Sequence, residues 1–164
     1  MRYATLGCGL LLLLVAWPAG AQECPTGKPT LLTRALPRAL GPGPLWVMAE
    51  SWPIKWKASG APVQLIWVID ASVPGQAIVM GKHRESGLPI RFTAFGDTLG
   101  ERQLRHQIDP FGYKPSLARP EDFTKYSFDR SYVWFPEPGC YELTGRVGRQ
   151  QATIHLEAVK SAGK

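Results

Sequence analysis

Asparagine is absent from all 164 residues, so the chain holds no N-glycosylation acceptor, and its turns fall to the 17 glycines and 15 prolines. Cysteine and histidine are nearly as scarce, with three of each. His83, His106 and His155 stand at separations that match no zinc or copper pattern. Met48 and Met80, soft donors near His83, lie in apolar runs and are expected to fill core gaps, so neither a metal nor a cofactor is expected. No segment keeps a helical period, which argues against a bundle, and no unit repeats, which argues against a solenoid. Nucleophile motifs are missing as well: there is no Gly-x-Ser-x-Gly and no metalloprotease His-Glu pair. Ser161 to Lys164 spells Ser-x-x-Lys, but at a chain end that cannot hold a preorganised site.

What is present begins at the N-terminus. Arg2, the apolar run from Leu6 to Ala16, and the small residues Ala19-Gly20-Ala21 have the order of an export signal. The run is too short to span a bilayer, which takes roughly 20 residues, and Trp17-Pro18 interrupts it. Cleavage is expected before Gln22, giving a periplasmic or extracellular protein with no transmembrane segment left. Lipid attachment at Cys24 is disfavoured by Glu23, an acidic residue where a small one is needed, and Cys8 is followed by the apolar core.

Cleavage would remove Cys8 and leave Cys24 and Cys140 alone in an oxidising compartment, where two cysteines are expected to pair. Closing a loop of that length stabilises by about 4 to 5 kcal/mol in the chain-entropy model. It would also staple the first mature residues to the last sheet.

The chain beyond Ala21 has 143 residues, the size of one domain with a real core. Losing Arg2 takes the formal charge from +6 to +5, and the basic residues form no block. A solubilising surface is therefore expected and a nucleic-acid partner is not. Residues 22–44, rich in Pro and Gly, are expected to run extended over the surface as an arm, with at most a short helix near Leu31 to Ala39.

From Leu45 the pattern changes to short β-like runs between Gly and Pro. Val63 to Ile69 is apolar at almost every position, so it should be a central strand with Trp67 in the core. Gln76 to Met80 and Pro89 to Phe95 continue a meander. The clearest hairpin is the last: Tyr141, Leu143, Gly145 and Val147 share a face with Ala152, Ile154, Leu156 and Ala158 across Gly148-Arg149-Gln150. The expected fold is all-β, a single antiparallel sandwich of about seven strands over residues 45–160 with a long loop at 96–130.

Pro138-Gly139-Cys140-Tyr141-Glu142-Leu143 resembles the penultimate strand of immunoglobulin-like sandwiches, where a Pro-Gly turn precedes a Tyr that packs back on it. Leu65-Ile66-Trp67-Val68 with Pro74-Gly75 and Gly81, and Tyr132-Val133-Trp134-Phe135-Pro136 before that motif, resemble a family of exported bacterial proteins whose activity is uncharacterised. The resemblance covers roughly residues 41–159; it implies export and an all-β fold, and it implies no activity. Cys140 precedes the Tyr and Cys24 lies in the arm, so the Cys, Trp, Cys spacing of true immunoglobulin domains is not met.

Two groups are candidate sites. Trp52 and Trp56 alternate with Lys55 and Lys57, as in an exposed aromatic row that grips sugar rings, with lysines suited to an acidic polymer; the same alternation also describes the core face of a strand. His106 as base, Asp109 as its partner and Ser116 as a conceivable nucleophile would be the enzymatic alternative, a secreted hydrolase using the 96–130 loop. The expected role is a non-enzymatic binding or structural module for an envelope or extracellular polymer or protein, whose ligand the sequence does not name. A further possibility is docking through an edge strand or the arm by strand addition.

Overall fold

The computed structural model describes residues 23–34, 36–58, 60–93, 103–107, 113–116 and 118–161. The expected signal segment, with Cys8, lies outside these residues, and so does Asp109.

Among the described residues, nine strands make two facing sheets. The first holds β1 (Leu45–Met48), β3 (Val63–Asp70), β7 (Tyr126–Trp134) and β5 (Arg91–Thr93), in that order. The second runs β2 (Ile54–Trp56), β9 (Gln150–Lys160), β8 (Gly139–Val147), β4 (Gln76–His83) and β6 (Gln103–Gln107). This is an all-β sandwich. All pairings are antiparallel save β2 on β9, which is parallel because the chain crosses to the second sheet between Met48 and Ile54. The count exceeds the expected number of about seven; β2 and β5, where an alternating pattern was expected, are three residues each.

The core lies between the sheets. Leu45, Val47, Leu65, Trp67 and Ile69 of the first sheet meet Leu143, Ile154 and Leu156 of the second. Trp67 is buried as expected, and its indole N–H donates to the Ser131 hydroxyl at 2.8 Å, so the polar end of the ring is satisfied. The final hairpin has the expected faces, with its inward residues from Tyr141 to Ala158 buried. Its loop turns at Gly148, whose φ of 56° and contact with the Pro74 carbonyl leave no room for a side chain.

The first sheet is apolar on its outer face too. Met48, Val68 and Phe128 are covered there by Leu36 and Ala39 of the arm, with Phe123 and Tyr126 alongside. The arm is therefore a structural layer, more than the surface segment that its Pro and Gly content suggests, because Val68 and Phe128 need a cover away from the main core. No described residue between Leu31 and Ala39 is helical. Leu40 and Val47 exchange two 2.8 Å backbone bonds, so the arm also closes the outer edge of β1.

Part of the segment expected as a loop is regular. β6 overlaps the strand-like Leu104 to Ile108, of which Ile108 lies outside the described residues, a short helix α1 spans Asp122–Lys125, and β7 starts already at Tyr126. Tyr126, Phe128 and Arg130 alternate with Ser127, Asp129 and Ser131, a polar second set that hides the strand from a hydrophobicity reading.

Candidate binding cleft at the open side of the sandwich

Cys24 and Cys140 form the expected disulfide, with Cα atoms 5.3 Å apart and 116 residues between them in sequence. It fastens the arm to β8 beside a polar knot. His83, at the end of β4 and opposite Tyr141 in register, is 4% exposed. Its Nδ1 lies 3.0 Å from Glu137 Oε1 and 3.0 Å from Ser86 Oγ, and Ser86 also donates its hydroxyl to Glu137. The Tyr141 hydroxyl donates to the Glu137 carbonyl and accepts from the Glu137 N–H at 3.2 Å, so the Tyr packs back on the turn before it. Burial, the largest influence, pushes the Tyr141 phenol up to about 12, the nearby Glu137 carboxylate adds to this, and the bond to the Glu137 backbone opposes it.

Ser, His and Glu in one cluster invite comparison with a proton relay. A relay needs the hydroxyl on one ring nitrogen and the carboxylate on the other. Here both meet Nδ1, while Nε2 is buried against Gly139 with no partner among the described residues. The cluster thus pins the β4–β5 turn to the β7–β8 turn and has no path for a proton across the ring. Sequence reading passed over it, yet the parity of β4 was informative: Ala77, Val79 and His83 all point inward. The same parity turns Met80 outward, 48% exposed, where a core position was expected.

The candidate residues sit elsewhere. Trp52 and Trp56 are half-buried against the main core, and their indole N–H groups donate to the carbonyls of Arg38 at 3.4 Å and Phe135 at 2.9 Å. The two rings brace the fold and do not form an open row. Lys55 and Lys57, in contrast, are exposed. Ser116 lies exposed in a turn, and the backbone of His106 falls opposite Ala77 on β6. His155, on the solvent side of β9, lies 3.6 Å from Glu142.

Both lysines line a cleft of about 670 Å³ at the open side of the sandwich. Its volume falls in the range usual for ligand sites, roughly 300 to 1,000 Å³. Its apolar surface comes from the partly exposed Val63 and Ile66, with Met48 and Ile54 buried behind them, and Glu50 is the one acidic group with the two ammonium groups on its lining. The cleft exists because β1 stops at Met48 while β3 starts three residues before the partner of Met48, Ile66. The chain then leaves for the second sheet, and β2 returns as the other wall.

Comparison of the chain with family models, curated proteins and solved structures finds no match in any of the three. The class that fold and site define is an all-β sandwich with one disulfide and, among the described residues, no helix long and apolar enough to cross a membrane.

Proposed function

We propose that this chain is an exported, non-enzymatic binding module that takes an anionic partner from the cell envelope or its surroundings into the cleft bearing Lys55 and Lys57. The observation that carries the reading is a concave cleft that joins partly exposed apolar side chains, Val63 and Ile66, to two exposed cations. The disulfide suits an oxidising compartment, and the N-terminal signal supplies the route to it. Half-buried Trp52 and Trp56 hold β2 in place, so they act on the cleft by positioning.

The test is capture of a partner from envelope extract by the chain from Gln22 onward, run beside a Lys55→Glu/Lys57→Glu variant with an unchanged circular dichroism spectrum. A partner held by the first and released by the second supports the reading. Equal capture by both, or none by either, removes the cleft as the site. In the latter case turnover assays on variants of His106 would take up the hydrolase alternative. Export is checked separately by mass spectrometry of secreted protein, which should begin at Gln22.

A further inference from the structure

The outer face of the first sheet changes character along its strands. At one end Met48, Val68 and Phe128 lie under Leu36 and Ala39 of the arm. At the other end the outward positions are polar or aromatic. Leu65 and Trp67 point into the core, so Gln64 and Ile66 point out, and with them their partners Tyr132 and Arg130. Phe92 likewise points inward, so Arg91 and Thr93 face out, opposite Trp134 and Tyr132. None of these outward positions carries a carboxylate.

Two of these side chains are already engaged: Thr93 is buried, and the Arg130 guanidinium lies over the Tyr113 ring, 4.8 Å from its centroid. Arg91 is exposed and Trp134 half-buried. The indole N–H groups of Trp52, Trp56 and Trp67 each donate to an oxygen of the fold, whereas that of Trp134 has no partner among the described residues. The ring is thus less committed to the scaffold than the other three.

This surface is continuous with the cleft. Val63 pairs with Val133, which puts Trp134 beside Pro62 at the end of the ladder, and Pro62, Val63 and Gln64 all line the cleft. Trp56 donates to the carbonyl of Phe135, so the stretch that carries Lys55 and Lys57 is fastened next to Trp134. Arg91 follows one strand further on, at a spacing of about 4.8 Å. The order from the cleft outward is therefore two ammonium groups, an indole and a guanidinium.

We infer that the occupant is an acidic polysaccharide, a chain of sugars bearing carboxylates, which lies from Lys55 and Lys57 over the Trp134 indole to Arg91. An indole gives a flat apolar surface to the C–H face of a sugar ring and an N–H to its hydroxyls, while separated cations meet carboxylates spaced along a polymer. A polynucleotide, with a phosphate on every unit, calls for denser positive charge than cations set apart with Glu50 on the same lining. The inference rests on the cleft being the binding site; it names the ligand class and adds Trp134 and Arg91 to that site.

The probe is a fluorescein-labelled polygalacturonate oligomer, titrated into the disulfide-bonded chain from Gln22 onward and followed by polarisation, with neutral dextran as the control. The expected result is saturable binding to the acidic polymer alone, weakened at least about fivefold by Arg91→Glu and about threefold by Trp134→Leu in variants whose circular dichroism is unchanged. Tryptophan emission should shift on binding in the parent and not in Trp134→Leu. Should Trp134→Leu fail to fold, Arg91→Glu, a change at an exposed position, reads the face by itself. Binding that is lost in Lys55→Glu/Lys57→Glu but stays within about twofold in Arg91→Glu confines the ligand to the cleft and overturns the extension. Equal or tighter binding of polyglutamate or of a thymidine oligonucleotide overturns the sugar assignment and leaves an electrostatic cleft. If polygalacturonate does not bind while capture from envelope extract still depends on the lysines, this inference falls and the cleft stands. If that capture fails as well, both fall.

Discussion

The two sides of the sandwich spend their polar groups differently. At the disulfide side, His83, Ser86, Glu137 and Tyr141 bond to one another, Cys24 is joined to Cys140, and Gly139 is pressed on the imidazole. At the cleft side, Gln64 of β3 turns its backbone N–H and C=O to a side where no described strand lies, and the lysines on the lining are exposed. Groups that bond to one another around a buried ring specify one arrangement and leave little to offer a partner, even with Nε2 of His83 left without a described partner. Open backbone and exposed cations cost stability or contribute none, and they are what a second molecule can use. Substitutions at the knot should therefore alter stability, and substitutions at the cleft should alter binding alone.

The largest effect is expected from Cys24→Ser/Cys140→Ser, which frees a 116-residue loop and should cost about 4 kcal/mol in denaturant unfolding. A loss below about 1 kcal/mol would mean that the arm docks without its bridge. Next comes Gly139→Ala. Its φ of 143° and a Cβ built 2.1 Å from His83 Nε2 predict about 3 kcal/mol, since the imidazole is held at Nδ1 and cannot retreat. Combining it with His83→Ala should recover part of that loss if the clash is the cause.

Tyr141→Phe removes the bonds to the Glu137 backbone and should cost about 1 to 2 kcal/mol at neutral pH. It also carries a pH signature. The folded phenol loses its proton near 12 while an unfolded tyrosine does so near 10, so the unfolded state releases its proton first. The resulting stability is fully present below pH 10 and is lost as pH rises towards 12. Denaturation midpoints should fall over that window for the parent and fall less steeply for the variant; parallel curves would remove Tyr141 as the cause. The smallest effect on stability belongs to Lys55→Glu/Lys57→Glu, within about 0.5 kcal/mol of the parent by thermal melting, because both side chains are exposed. A larger loss would make the lysines structural and blur the contrast.

How far the sequence could be read depends on element length. β3 and the β8–β9 hairpin were legible because eight or more residues keep one pattern, and Trp67 and Tyr141 fell where that pattern puts them. β2, at three residues, offered no such run, so its row of indoles could be read as a grip or, more readily, as the core face of a strand. Leu36 and Ala39 were hidden by the prolines and glycines around them, and only the two-sided apolar character of β3 hinted that some layer had to cover it. Lys55 and Lys57 could be named as candidates, but the cleft could not, because it arises from where β1 ends relative to β3. That is a property of register between strands far apart in sequence. His83 was missed for a different reason: a lone histidine carries no signal until its parity in β4 is set beside Tyr141.

The arm ties the beginning of the molecule to its end. A chain delivered from its N-terminus presents Cys24 long before Cys140 exists, and Ile54 before its neighbour Ala158. The second sheet gains β2 only when β9 has followed, and the bridge waits for Cys140, so both close late. Contacts of such long sequence separation form late. Through that interval the Cys24 thiol and the apolar early strands are open to other copies, and assembly becomes a race between finishing one chain and joining two.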